Sequence, residues 1–399
     1  MTTNKNVNKH ILADMAVRKL FAPTIFDGYK CITDHVLVLD DGIIETIIPV
    51  TEAGEDVEYF EGTLTPGFIN CHCHLELSHM KGVIPEKIGL VDFVWTVVSQ
   101  RDESDTDVLA AMKEWDEEMY EGGIQAVGDI CNLAISIPLK QNSSINYHNF
   151  VETSGWLPGI ASVRFEKILT VYNAFSKELP GSGLSLVPHA PYSVSESLWE
   201  QIRPLFRDKI VSIHNQETEG ENEFFVKGSG EMNRMYEIMG IGNDHHAPTG
   251  LSSVQSYFQH LAQANKILLV HNSFTSAEDV DFIVRNSEAN NNQTFFCICI
   301  NANQYIEDAV PPLDIFLEKN VDIVLGTDSL ASNKTLSIAD EMATIKKLFP
   351  DIKLDEILKW ATINGAKALN MEERLGSFEK GKNPGVIHLM KEFKVKRIC

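Results

Sequence analysis

Short apolar, β-branched runs alternate with longer amphipathic stretches through most of the chain. Eight such runs stand out: "GFINCHCH" (67–74), "GIQAVGDI" (123–130), "INYHNFVET" (145–153), "LSLVPHA" (184–190), "KIVSIHNQE" (209–217), "KILLVHNS" (266–273), "TFFCICINAN" (294–303) and "VDIVLGTD" (321–328). Segments of helical period lie between them, among them "DVLAAMKEWDEEMYEGG" (107–123) and "SESLWEQIRPLF" (195–206). Continuous apolar strands separated by helices predict a parallel sheet covered on both faces. Eight such units in about 260 residues fit an α/β fold of the (β/α)8 TIM-barrel type better than an open doubly wound sheet.

The texture differs at the two ends. Residues 17–62 read as short β-segments, with Asp40-Asp41-Gly42 as a hairpin turn between apolar runs. "GSFEKGKNPGVIHLM" (376–390) is β-like again, punctuated by Gly and Pro. The expected organisation is a small discontinuous β-sandwich from residues 1–63 plus 373–399, flanking a barrel over 64–372.

Composition narrows the partners. The chain is 44% hydrophobic and 23% charged, with a formal net charge of −22. Such a charge argues against a nucleic-acid backbone or an anionic membrane surface as partner. The stretch "MTTNKNVNKHILADMAVRKL" has no apolar core of a signal peptide, and no run approaches a membrane span. A cytoplasmic enzyme acting on a small molecule is expected. Seven cysteines form no C-x-x-C pair; Cys71/Cys73 and Cys297/Cys299 alternate with strand neighbours and read as reduced, buried, small apolar residues.

Candidate chemistry lies where the runs end. In a barrel of this kind the active site sits at the C-terminal ends of the strands. The first run ends in His72 and His74, the fourth in His189, and the sixth in His271. The fifth reaches His214, with Glu217 three residues on, and the eighth ends in Asp328. Side chains at i and i+2 point to one face of a strand, so His72 and His74 can grip one ion. The pair alone is weak evidence. With 13 histidines in 399 residues, chance gives roughly 0.4 His-x-His pairs. A single histidine at a strand end is ordinarily a structural residue, and an Asp after Leu-Gly-Thr can cap a following helix. The joint pattern outweighs these readings, since each strand would need its own coincidence.

His72, His74, His214 and Asp328 give three nitrogens and a carboxylate, a set suited to Zn²⁺, with Fe²⁺ as the alternative. The fourth run ends in Pro188-His189-Ala190 without a lysine that could bridge two metals, so one divalent ion is expected; Glu152 is the alternative bridging acid. Such an ion lowers the pKa of water towards ~7. Asp328 and His271 would then handle the nucleophile, and Glu217 would carry protons to the leaving group. Strand alternation does not put Glu217 on the face of His214; the chain must leave the strand for it to reach. Glu76, Trp95 and His189 are candidate substrate contacts, and Arg101 is a candidate partner for an anionic substrate end. Ser332 and Asn333 read as caps of the helix after the eighth run.

The motifs "TPGFINCHCH", "PHAPYSVS", "HNQETEGE", "LLVHNSF", "LGTDSLASN" and "ATINGAKALNMEERLGSFEKGK", in this order along the chain, resemble the amidohydrolase superfamily in its aminohydrolase (deaminase and chlorohydrolase) branch. The resemblance implies a mononuclear site with metal ligands at His72, His74, His214 and Asp328, a proton shuttle at Glu217 and a contact to the nucleophile from His271. It also implies a β-sandwich built from both chain ends and, commonly, a homodimer. "KGKNPGVIHL" departs from the usual "GKxADLV" ending, outside the catalytic motifs. "NCHCHLELS" and "LGTDSLASNKTLSI" are similar to aminodeoxyfutalosine deaminases of menaquinone biosynthesis. That similarity implies hydrolytic deamination of a 6-aminopurine nucleoside bearing a benzoate. Deamination of adenosine, methylthioadenosine, S-adenosylhomocysteine or guanine, and hydrolysis of a ring amide or chlorotriazine, remain as alternatives.

Overall fold

Strands from opposite ends of the chain share one sheet. The computed structural model describes residues 17–101 and 104–399. Most of the N-terminal stretch read above for a leader, residues 1–16, therefore lies outside the described residues. The first strands are β1 (Arg18–Phe21), β2 (Thr24–Phe26), β3 (Cys31–Ile32), β4 (His35–Asp40), β5 (Ile43–Pro49), β6 (Val57–Tyr59) and β7 (Thr63–Pro66). The turn between β4 and β5 holds Asp41 at φ 50° and Gly42 at φ 77°, two left-handed residues as a type I′ hairpin demands.

All eight predicted runs contain a strand: β8 (Phe68–Cys73), β9 (Ile124–Cys131), β10 (Asn146–Thr153), β11 (Gly183–Pro188), β12 (Ile210–Asn215), β13 (Lys266–His271), β14 (Gln293–Ile298) and β15 (Asp322–Leu325). Two more, β16 (Val386–Leu389) and β17 (Val395–Arg397), close the chain. The end strands form one sheet in the order β5-β4-β1-β6 and another in the order β17-β16-β7-β2-β3. In the second, β16 runs antiparallel to β7, with Val386 opposite Pro66. Leu20, Leu37 and Ile44 from the first sheet share a buried cluster with Ile25, Leu64 and Val386 from the second.

The middle strands form two parallel sheets, β11-β10-β9-β8 and β12-β13-β14-β15. Every residue of β8, β12 and β13 is buried, which is why these runs show no polar alternation. The two sheets meet at both seams. At one, His214 N–H donates to the His189 carbonyl at 3.0 Å; at the other, Thr327 and Asp328 N–H donate to the His72 carbonyl at 3.0 and 3.1 Å. The seams lie at strand ends, so they bring the histidines and Asp328 together.

Two expected runs overshoot. "TFFCICINAN" is strand only to Ile298, and a helix, Ile300–Glu307, takes over. An apolar run does not by itself separate a buried strand from a buried helix start. The fifth strand stops at Asn215 because Gln216 adopts φ 45°. Among the described residues no helix is long and apolar enough to cross a membrane. All seven cysteines are free, and Cys71, Cys73, Cys131, Cys297 and Cys299 are buried.

Candidate active site

The strand ends that carry the predicted residues leave their strands abruptly. Gln216 (φ 45°), His271 (φ 75°), Asn272 (φ 59°) and Asp328 (φ 58°) are all left-handed without being glycine. Each such conformation costs about 1–3 kcal/mol and persists only where its surroundings enforce it. Here they do. Gln216 N–H donates to Glu221 Oε1 at 3.0 Å, and Asn272 Nδ2 donates to the Leu269 carbonyl at 2.7 Å. Asp328 N–H is held by the His72 carbonyl. The reversal at Gln216 explains how Glu217 turns inward, which alternation along β12 could not foresee.

His74 stands at the centre of the constellation. Its Nε2 lies 3.1 Å from His72 Nε2 and 3.3 Å from His214 Nε2, and 3.3 Å from Asp328 Oδ1. His72 Nε2 is 3.5 Å from the same oxygen. Ligand atoms of His72, His214, His271 and Asp328 all fall within 4.8 Å of one another. The tautomers follow from outer contacts. His214 Nδ1 lies 2.8 Å from the His189 carbonyl, and His271 Nδ1 lies 2.7 Å from Asn303 Oδ1. Both are acceptors, so each Nδ1 carries the proton and each Nε2 is bare. His271 Nε2 is buried with no hydrogen-bond partner. Bare nitrogens packed against a carboxylate repel one another unless a cation lies among them.

Neighbouring residues fix this geometry. Ser332 Oγ donates to Asp328 Oδ2 at 2.5 Å, which leaves Oδ1 facing the imidazoles. Asn333 Nδ2 donates to the Thr327 carbonyl and to Glu341 Oε1, both at 2.9 Å. Ser332 and Asn333, read from sequence as helix caps, thus hold the Asp328 turn. Asn303, Glu221 and Glu341 escaped the sequence reading altogether. The one available signal was polar residues at positions where a buried run or an amphipathic helix calls for apolar ones.

Burial sets the protonation states. It lowers the His74 imidazole to about 3 against the opposing pull of Asp328, and the His271 imidazole to about 4. His214 is driven well below its ordinary range by burial and by the neighbouring histidines. For Asp328, burial works upward, but the hydrogen bond and charges of the surrounding histidines hold it well below the usual carboxylate range. Glu217 goes the other way: burial, then Asp328 and Glu221, raise it well above the usual range. Its Oε1 lies 3.5 Å from His271 Nε2. Two carboxyls in one site with opposite shifts are the arrangement that separates a ligand or base from a proton carrier.

A cavity of about 470 Å³ opens over this cluster, lined by His74, His214, Glu217, His271 and Asp328. The predicted contacts Trp95 and His189 line it, as does Arg101. Glu76 does not. Its two oxygens accept the N–H groups of Asn132 and Leu133 at 3.1 Å each, and burial raises its carboxyl to about 8. It braces the turn after β9 instead of facing the cavity. Glu152 lines the wall, with Oε1 3.7 Å from His214 Nδ1. That nitrogen is already committed to the His189 carbonyl, but ligand atoms of Glu152, His189 and His214 lie within 4.8 Å of one another, a second group of donors beside the first.

The pattern of the amidohydrolase family matches residues 63–396. The chain belongs to the amidohydrolase family. It is a hydrolase acting on carbon–nitrogen bonds. Among its relatives, the 5'-deoxyadenosine deaminase of Methanococcus vannielii is 26% identical over 87% of this chain and 80% of its own length. Two solved structures share the fold. The aminofutalosine deaminase of Helicobacter pylori, in complex with methylthio-coformycin, superposes with a TM-score of 0.78 at 23% identity, covering 94% of this chain and 93% of that one. An adenosine deaminase from Xanthomonas campestris with bound zinc gives 0.68 at 18% identity, covering 92% of this chain and 83% of that one.

Proposed function

We propose that this amidohydrolase deaminates a 6-aminopurine nucleoside by hydrolysis, with one divalent metal ion held by His72, His74, His214 and Asp328. The observation that carries the reading is the packing of imidazole nitrogens round His74, whose Nε2 lies 3.1 Å from that of His72 and 3.3 Å from that of His214, with Asp328 Oδ1 beside them. No proton sits on His214 Nε2 to relieve that packing, so the donor set fits a cation. Zinc suits three nitrogens and a carboxylate, and the Xanthomonas relative holds zinc. Bound there, the metal supplies the Lewis acidity that makes water nucleophilic near neutral pH.

The remaining steps belong to the side chains. Glu217, protonated in its buried position, donates to the purine as the C6–N bond breaks. His271, with Nε2 bare and its ring fixed by Asn303, accepts a hydrogen bond from the attacking water and orients it. We read the two parallel sheets, with hydrogen bonds across both seams, as one (β/α)8 barrel over 64–372. The buried cluster shared by the two end sheets supports reading them as a β-sandwich from the described part of 1–63 and from 373–399.

Within the 6-aminopurine class we favour aminodeoxyfutalosine. The motif resemblance and the fold shared with the Helicobacter enzyme support it, against adenosine or 5'-deoxyadenosine as for the Methanococcus relative. The test is ultraviolet absorbance with zinc-loaded protein and a panel of 6-aminopurine nucleosides. A hypoxanthine product is expected, with the highest kcat/KM for aminodeoxyfutalosine. No hypoxanthine from any of them would overturn the deaminase reading.

A further inference from the structure

A second group of donors shares His214 with the first. Glu152 stands next to last in β10, His189 follows β11, and His214 lies on β12. Glu152 pairs in register with Val187 of β11, and the His189 carbonyl accepts the His214 N–H. Three neighbouring strands thus bring these side chains to one wall of the cavity. A ligand atom of each falls within 4.8 Å of the other two.

Two of the three lack a partner. Glu152 is only 6% exposed. Asn132 Nδ2 donates to its Oε2 at 3.1 Å, whereas Oε1 is buried with no hydrogen bond. A proton on Oε1 would find no acceptor, and a carboxylate oxygen left bare inside a protein is costly. A zinc ion approaches such an oxygen to about 2.0–2.2 Å, closer than a water can. His189 Nδ1 lies 2.9 Å from Ser193 Oγ. That hydroxyl accepts the Ala190 N–H at 3.2 Å and gives its single proton to the Ala190 carbonyl at 2.9 Å. Nδ1 is therefore the donor, and Nε2 of His189 is bare.

His214 contributes less than its place suggests. Its Nε2 belongs to the first group, and its Nδ1 gives a proton to the His189 carbonyl at 2.8 Å. A second ion there has one carboxylate and one imidazole as protein ligands and takes the rest from water. The short ligand set and the charge of a first ion in the same cavity both loosen it. We infer that Glu152 and His189 form a second, weaker site for a divalent cation such as zinc, and that zinc bound there blocks the substrate. Both side chains line the cavity that also holds His271 and Asp328, so ion and substrate compete for one space. The protein is active with one ion and inhibited by excess.

The experiment counts zinc. Metal-free protein is titrated with zinc in a calorimeter, and equilibrium dialysis checks the count. Two classes are expected: one ion per chain held tightly, then one more held at least about 10²-fold more weakly. Glu152→Gln keeps the shape and an acceptor for Asn132 while removing the charge. It should weaken the second class by about tenfold or more and leave the first at one per chain. His189→Asn should do the same, since its backbone carbonyl still accepts from His214. A variant that loses both classes is misfolded, and the other then decides. The kinetic arm needs no variant: zinc beyond one equivalent should raise KM for a deaminated nucleoside and leave kcat unchanged. A titration of the unmodified protein that ends at one zinc per chain would overturn the inference. So would a second class that both variants retain, which would put the extra zinc on the surface carboxylates of a chain of net charge −22. Excess zinc that lowers kcat with KM unchanged would remove the blocking role. If no nucleoside is turned over, the deaminase reading fails separately, and the zinc count still decides this site.

Discussion

Glu217 is a buried carboxyl whose proton is held by its surroundings: desolvation first, then the charges of Asp328 and Glu221. Replacing it with Gln keeps the shape and removes the transferable proton. Glu217→Gln should lower kcat by about 10²–10⁴-fold while metal analysis shows the ion retained. Turnover within tenfold of the unmodified protein would remove its role. His148 offers a test outside the site. Its Nε2 lies 3.0 Å from Ser185 Oγ, and burial lowers it from 6.5 to about 3. The folded chain therefore keeps it neutral while the unfolded chain protonates below 6.5. Its contribution to stability is present above pH 6.5 and is lost as the pH falls towards 3. His148→Asn should abolish that loss. Urea unfolding of both chelated proteins at pH 7 and pH 4 should show the unmodified protein losing roughly 3 kcal/mol more than the variant. Parallel losses would mean His148 already titrates in the fold.

At the scale of elements, the site depends on how closely β15 and its exit approach β8. A Cβ added at Gly326 would meet Cys299 Sγ at 2.8 Å, and Cys297 Sγ and His72 Cβ at 2.9 Å each. None of these atoms is the far end of a flexible chain. Gly326→Ala must shift the turn or β8, at about 1–3 kcal/mol of overpacking, and His72 moves with it. Displaced ligand geometry of this kind weakens metal binding by about 10–100-fold. Zinc titration with a competing chelator should find that loss, and unchanged affinity would show that the strands yield elsewhere.

Across the whole molecule, the C-terminal strand is fastened to the start of the parallel sheet. Arg397 donates to the carbonyls of Tyr120 and Ile124 at 2.7 and 2.9 Å and to Gln125 Oε1 at 2.8 Å, and it lies over the Tyr120 ring. Arg397→Ala should cost about 2–4 kcal/mol in denaturant unfolding. Ile124 begins β9, a strand of roughly 25 Å whose far end approaches the site, so kcat below the melting range should hold. The imidazoles and Asp328 come from both parallel sheets, so a bound cation ties the two together. Chelation should lower Tm by several degrees, since a ligand at about 1,000 times its Kd adds roughly 4 kcal/mol. His214→Ala should show no such drop.

The eight parallel strands were legible because strands buried on both faces must be apolar throughout, and that leaves an unbroken run in the sequence. His72, His74, His214, His271 and Asp328 were legible for a related reason: polar groups ending such runs have only one end of a parallel sheet to occupy. What the sequence by itself left open were features made by chain reversals and by contacts between distant segments. The inward turn of Glu217 needed the left-handed Gln216 and the acceptor Glu221. The tautomer of His271 needed Asn303, and the choice of Asp328 oxygen needed Ser332. Glu76 had the right chemistry in the right motif, yet two backbone N–H groups from the turn after β9 claimed its carboxylate. Periodicity encodes which face is buried, but which buried polar group meets which is decided only when the strands close upon one another.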